Sequence, residues 1–201
     1  MVTLTIDGVE ISVQDGTTIL DAARNVSGVG KIPTLCHINS PALSDLKPVK
    51  SCRVCTVEQV RDGRSVFPLS CVTQVREGMV INTNSDVVKE RRKDIIREHL
   101  TRCSKEPVIL ELAKEMGVAI PEGDLQEEEC ILCGMCYRAC NDPRGLAAEA
   151  ISQVKQNGAS YYQVDETKCL ACGDCMIACS LGTVKLGEKA AIIPKPKAAA
   201  K

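Results

Sequence analysis

One cysteine pattern occurs twice in this chain. Cys130, Cys133, Cys136 and Cys140 stand at the spacing C-x2-C-x2-C-x3-C, and Cys169, Cys172, Cys175 and Cys179 repeat it. Three thiols so close in sequence can wrap a tight loop around one compact centre. The fourth lies one helical turn further on and points away from that loop. Gly134 and Gly173 occupy matching places in the two runs, where backbone must pass close to whatever the loop encloses. Disulfides or zinc are the plain alternatives, but tetrahedral zinc sites pair one C-x2-C with a distant second pair, and two consecutive four-cysteine runs fit that poorly.

The spacing is that of bacterial-type ferredoxins, which hold [4Fe–4S] cubanes on thiolates and use the fourth cysteine of each run for the other cube. On that reading cluster A takes Cys130, Cys133, Cys136 and Cys179, and cluster B takes Cys169, Cys172, Cys175 and Cys140. Such ferredoxins often place proline after the last cysteine; Asn141 and Ser180 stand there instead, which removes no ligand.

Thirteen cysteines in 201 residues, with no segment that reads as an export signal, fit a reducing cytoplasm, where thiols stay available for metals. Aromatic residues make up only 2% of the chain (Phe67, Tyr137, Tyr161 and Tyr162), and inorganic clusters are expected to fill space that rings would otherwise fill. A net charge of −1 gives no argument for nucleic acid, and no apolar run approaches the ~18 residues that span a bilayer.

The N-terminal pattern predicts an α+β unit. Val2, Leu4 and Ile6 alternate with threonines, Asp7-Gly8 is a hairpin turn, and Val9, Ile11 and Val13 resume the alternation. Thr18 and Asp21 have capping-box spacing ahead of Ile19, Leu20, Ala23 and Val26. A hairpin followed by a crossing helix begins a β-grasp sheet. Residues 56–60, the stretch around Val66 and Phe67, and Val80-Ile81 are further strand candidates, with Asp62-Gly63 as a turn. Ser85 predicts the N-cap of a helix with a stripe of Val88, Ile95, Ile96 and Leu100, and the charges of residues 89–93 read as its solvated face. Pro107 opens a second helix that ends at Gly117. The expected division is a β-grasp domain at 1–84, a helical linker at 85–123, a double-[4Fe–4S] ferredoxin-like domain at 124–190, and a low-complexity mobile tail at 191–201.

Four more cysteines lie inside the β-grasp segment. Cys36, Cys52, Cys55 and Cys71 are spaced C-x15-C-x2-C-x15-C, whereas the plant-type [2Fe–2S] signature is C-x4-C-x2-C with a distant fourth cysteine. The spacing alone leaves zinc as a rival. The position after a β-grasp hairpin and helix favours [2Fe–2S].

Taken together, the chain resembles the N-terminal iron–sulfur region of the large iron–sulfur subunit of respiratory complex I. The same region occurs in the diaphorase small subunit of NAD-linked hydrogenases and at the front of iron-only hydrogenases. The stretches that carry the resemblance are Gly16-Thr-Thr-Ile-Leu-Asp-Ala-Ala23, Ile32-Pro-Thr-Leu-Cys36, Ser51-Cys-Arg-Val-Cys-Thr-Val57 and Val75-Arg-Glu-Gly-Met-Val80, continued by the two cysteine runs. The resemblance implies an electron-transfer subunit that works beside flavin- and NAD(P)-binding partners, in a hydrogenase, formate dehydrogenase, aldehyde-oxidising or bifurcating transhydrogenase complex. A free-standing ferredoxin-like shuttle is the alternative, and a purely structural role for the clusters is a third reading. A shuttle is usually strongly acidic, unlike this chain. No catalytic constellation is visible: there is no dinucleotide-binding glycine fingerprint, and His37 and His99 are the only histidines.

The chain departs from the family in two places. The gap from Cys36 to Cys52 is long. The histidine-ligated [4Fe–4S] site of the family, His-x3-Cys-x2-Cys-x5-Cys, is reduced to His99 and Cys103, with Glu106 at the next ligand position. With that site lost, His99 and Cys103 are expected to be ordinary helix-end residues. The [2Fe–2S] centre is then expected to lie far from clusters A and B, so that its domain either swings on a hinge between His99 and Gly123 or connects through a partner's cluster.

Overall fold

The computed structural model describes residues 1–37, 40–122 and 128–195. The Gly123 end of the expected linker and the tail from residue 196 lie outside the described residues. Strands β1 (Val2–Ile6) and β2 (Val9–Val13) form the expected hairpin, turned by Asp7 and Gly8 at φ 49° and 84°. Helix α1 (Ile19–Arg24) follows. Thr18 caps it, its hydroxyl oxygen accepting from the Asp21 backbone N–H at 3.1 Å and donating to the Asp21 carboxylate at 2.6 Å.

Strands β3 (Glu58–Arg61), β4 (Arg64–Val66) and β5 (Met79–Asn82) complete a five-stranded sheet in the order β2-β1-β5-β3-β4. The central pair β1 and β5 is parallel, with Leu4 opposite Met79 and Ile6 opposite Ile81, and the other pairs are antiparallel. Leu4, Ile6 and Ile81 point to one face, where they bury Ile19, Ala22 and Ala23 of α1. Hairpin, crossing helix and returning central strand make a β-grasp unit.

Helix α2 (Asp86–Arg102) is capped by Ser85, as its sequence predicts. Helix α3 (Pro107–Glu115) opens on Pro107 and closes before Gly117, whose φ is 66°. The buried face of α2 is Val88, Arg92, Ile96 and Leu100. Arg92 therefore does not belong to a solvated face; it is 5% exposed. Its reason is helical phase: it falls on the i, i+4 row between Val88 and Ile96.

The two cysteine runs form the short helices α4 (Met135–Cys140) and α5 (Asp174–Ile177), which pack side by side. Between them lies a hairpin of β6 (Ile151–Gln156) and β7 (Ala159–Val164). Its turn is Asn157-Gly158, at φ 50° and 78°, a strong hairpin dipeptide absent from the strand candidates drawn from sequence. A two-residue pair, β8 (Lys185–Leu186) and β9 (Ala191–Ile192), closes the unit, so residues 191–193 belong to it and not to the expected tail, because Ala191 and Ile193 bury apolar side chains in its core. Among the described residues no helix is long and apolar enough to cross a membrane.

One apolar core runs through both halves of the molecule. It contains Leu35, Cys36, Leu46, Cys52 and Val54 of the first unit, Ile96, Leu100, Cys103, Ile109 and Ala113 of α2 and α3, and Met135, Ala139 and Ala178 of the second. Segment 99–118 is thus locked into a core and offers no hinge among the described residues, contrary to the expectation from sequence. The reason is the long loop between Cys36 and Cys52. Leu43, Leu46 and Val49 fold over the gap and join that core, a tertiary contact that no local pattern announces.

Candidate metal centres

Cys36, Cys52, Cys55 and Cys71 come together beneath α1, each only 1–2% exposed. The Cys36 backbone N–H donates to the Cys52 sulfur at 3.4 Å, and the Cys55 and Cys71 sulfurs share a hydrogen bond at 3.3 Å. The Cys36 and Cys71 thiols each act electrostatically with the other thiols of the set. The hydrogen bond with the Cys52 side chain, opposed by burial, holds the Cys36 thiol down to about 5, while Cys52 is pushed up. The same division holds Cys55 at about 7 and pushes Cys71 up. Thiolates are the metal-binding form, and one thiol of each pair is shifted toward it. The loop is shaped by Lys50 and Arg53 on either side of Cys52, at φ 64° and 59°. Arg53 forms an ion pair with Glu98 of α2.

The second unit holds two small cavities. One is lined by Cys130, Cys133, Cys136 and Cys179, together with Tyr162, Val184 and Ile193. The other is lined by Cys140, Cys169, Cys172 and Cys175, with Ile151, Leu186 and Ala191. Each cavity thus takes three cysteines of one run and the last of the other. The backbone is the same in both runs: Leu132 and Ala171 lie at φ 54° and 50°, and Gly134 and Gly173 at 80° and 87°. Each loop thus contains two left-handed residues. The Leu132 N–H donates to the Cys130 sulfur at 3.3 Å, and the Ala191 N–H to the Cys169 sulfur at 3.4 Å. Burial raises Cys133 to about 12 and Cys175 to about 11.

Four thiols around an apolar cavity, with N–H donors aimed at sulfur, suit an all-thiolate iron–sulfur cluster. Gly134 adds a tighter constraint, since a Cβ there would come within 2.9 Å of the Tyr162 hydroxyl oxygen.

Helix α2 braces two of these sites from one end. His99 Nε2 lies 3.0 Å from the Cys52 carbonyl oxygen; a carbonyl only accepts, so Nε2 carries the proton. Further along the helix, Arg102 Nε donates to the Cys130 carbonyl at 2.8 Å. The Ser51 hydroxyl donates to the Cys133 carbonyl at 3.0 Å, joining the loop of one site directly to the loop of another. The expected separation of the [2Fe–2S] centre from site A is therefore not found.

The remnant of the family's third site has other work. His99 is turned to Cys52, and Cys103 is 0% exposed inside the shared core, where burial raises its thiol to about 12. No partner chain can reach Cys103 in this conformation. Glu106 is buried at the start of α3, its carboxyl raised by burial and then by Glu129. Sequence reasoning missed the bracing roles of His99, Arg102 and Ser51. The positions of Ser51 beside Cys52 and of Arg102 beside Cys103 were legible, but their partners lie far off in sequence.

Two domain families match the chain: a 2Fe-2S iron-sulfur cluster binding domain over residues 1–86, and a 4Fe-4S dicluster domain over residues 129–183. The chain thus joins a 2Fe-2S cluster binding domain to a 4Fe-4S dicluster domain. It is 36% identical over 166 residues to the NADP-reducing hydrogenase subunit HndD of Solidesulfovibrio fructosivorans, a match covering 70% of this chain and 28% of that protein. It is 29% identical over 196 residues to iron hydrogenase 1 of Clostridium pasteurianum, covering 84% and 32%. An NADH-quinone oxidoreductase subunit of Rickettsia bellii is 35% identical over 178 residues, covering 73% and 24%. The chain spans about a quarter to a third of the length of these relatives. Its fold is shared with a chain of the NAD+-reducing [NiFe]-hydrogenase in the H2-reduced state, at a TM-score of 0.60 and 23% identity, over 98% of this chain and 82% of that one.

Proposed function

We propose that this chain is the electron-transfer part of a multisubunit NAD(P)-linked oxidoreductase. Its [2Fe–2S] cluster is held by Cys36, Cys52, Cys55 and Cys71. One [4Fe–4S] cluster is held by Cys130, Cys133, Cys136 and Cys179, and a second by Cys169, Cys172, Cys175 and Cys140. Bound there, such clusters take up and release one electron at a time. The observation that carries the reading is the pair of cavities lined by exchanged cysteine sets. We divide the chain at 1–84, 85–123 and from 124 on, with the middle segment bracing its neighbours and residues 191–193 part of the last unit.

The protein's own contribution is positioning and exclusion of water. The first four cysteines are sealed under α1, the Leu132 and Ala191 N–H groups donate to cysteine sulfurs, and His99, Arg102 and Ser51 tie adjacent loops together. Nicotinamide cofactors deliver electron pairs as hydride, so single-electron carriers need a flavin to divide them. A flavin- and NAD(P)-binding partner is therefore expected, with a hydrogenase-type, dehydrogenase-type or ferredoxin partner on the other side. The relatives named above are hydrogenase and quinone-oxidoreductase proteins, which favours this reading over a free shuttle. The expected site of action is the cytoplasm.

Affinity purification of the tagged chain from its own cells under argon tests the proposal. A flavoprotein is expected to arrive with it, and the chain should carry about ten irons from one [2Fe–2S] and two [4Fe–4S] clusters. Arrival alone, with full iron content, would favour the shuttle. Cys133→Ser should remove one cubane, about four irons, and leave flavin reduction by the nicotinamide intact.

A further inference from the structure

Arg92 is a buried cation at the edge of the first metal site. It is 5% exposed, yet it lies on the core face of α2 among Val88 and Ile96. Its guanidinium donates twice to one acceptor, the Thr56 carbonyl, from Nε at 2.9 Å and from Nη2 at 2.7 Å. Thr56 directly follows Cys55. A neutral acceptor satisfies the geometry of the fork but not its charge. Taking a charge out of water is expensive unless an opposite charge compensates.

The opposite charges near it are few. Its electrostatic partners are Cys55 and then the Asp7 carboxylate, and burial draws the guanidinium down to about 10, still a full cation at neutral pH. Asp7 is a second counter-charge, held in place by neutral donors that leave its charge intact. Its carboxylate accepts from the Gly30 backbone N–H at 2.9 Å, and from the Thr83 backbone N–H and hydroxyl at 2.6 and 2.5 Å. Arg92 thus has two anionic partners, the cysteine site first and Asp7 second.

We propose that Arg92 is a tuning residue for the [2Fe–2S] centre, a fixed positive charge that stabilises its reduced form and raises its reduction potential. The inference rests on the assignment of Cys36, Cys52, Cys55 and Cys71 as the ligands. Four thiolates and two sulfides outweigh two ferric ions, and one-electron reduction adds a further negative charge. A nearby buried cation therefore favours the reduced state, as net charge does in iron–sulfur proteins generally. Asp7 opposes this effect by sharing the field of Arg92.

The test is a mediated potentiometric titration of the [2Fe–2S] signal by electron paramagnetic resonance, on the reconstituted whole chain. Arg92→Met should lower the midpoint potential by about 59 mV, a tenfold change in the one-electron equilibrium. Arg92→Lys keeps the charge and should fall between Arg92→Met and the wild type. Asp7→Asn should shift the potential the other way, upward. If Arg92→Met does not retain the cluster, Arg92→Gln, which keeps a donor for the Thr56 carbonyl but removes the charge, decides by the same shift. An unchanged potential in Arg92→Met, an equal drop in Arg92→Lys, or a downward shift in Asp7→Asn would each overturn the tuning role. No [2Fe–2S] signal in the wild-type chain would overturn the ligand assignment itself.

Discussion

Sites A and B are built from the same cysteine spacing, the same left-handed turns and exchanged fourth cysteines, yet they sit in different surroundings. Site A is wedged against the first domain. The Cys133 carbonyl takes the Ser51 hydroxyl, the Cys130 carbonyl takes Arg102, and Tyr162 closes over Gly134. Site B faces outward. Cys172, the counterpart of Cys133, is exposed, and Leu170, Met176 and Ile177 around it are 58%, 41% and 43% exposed. The repeat dictates ligation, and the neighbours dictate position along the molecule. The inner copy is joined to another metal site, while the outer copy is open to whatever docks.

The largest expected difference between the copies is at their glycines. Gly134→Ala and Gly173→Ala both force a side chain into a left-handed residue, at a cost of roughly 1–2 kcal/mol. Only at Gly134 would the new Cβ also meet the Tyr162 hydroxyl at 2.9 Å; at Gly173 the nearest atom is a Leu186 methyl at 3.7 Å. Gly134→Ala is expected to lose one cubane, about four of ten irons, while Gly173→Ala retains most of its iron. Iron and acid-labile sulfide analysis reads this directly. Equal losses would mean that the Tyr162 wall does not distinguish the sites.

Solvent access should separate the centres next. Under a chelator or controlled oxygen exposure, site B is expected to lose its cluster first and site A second. The [2Fe–2S] centre, with cysteines 1–2% exposed, should be lost last. Iron-release kinetics, with spectroscopy to identify the surviving centre, follow the order. Loss of the [2Fe–2S] centre ahead of site B would contradict the burial argument.

Much of this architecture was legible because its signals are local. The cysteine runs, the Asp7-Gly8 turn, the Thr18 and Ser85 caps and the Pro107 helix start each rest on residues a few positions apart. The failures are tertiary or lie in helical phase. Charged neighbours concealed Arg92, although its place four residues from Val88 and from Ile96 marks it as a core position. Loss of the histidine-ligated site suggested a gap between domains, because nothing local tells that Leu43, Leu46 and Val49 of the enlarged loop fold across it. The turn at Asn157-Gly158 was a local signal left unused.

The smallest expected effect probes the contact that makes site A the inner one. Ser51→Ala removes a single hydroxyl that donates to the Cys133 carbonyl at 3.0 Å. No cysteine is altered, so cluster content should stay at the wild-type value. A hydrogen bond of this kind contributes about 0.5–1.5 kcal/mol. The exposed position lets water replace the lost donor, which places the expected loss toward the lower end. Thermal unfolding of the reconstituted chain measures it. The same variant should weaken the magnetic interaction between the reduced [2Fe–2S] centre and the reduced cluster in site A, because the two loops lose this direct hydrogen bond. Site B provides the control, since the Ser51 hydroxyl is directed to the loop of Cys133 and not to that of Cys172. A stability loss without any change in that interaction would mean that Ser51 holds the domains together but does not set how closely the two centres approach.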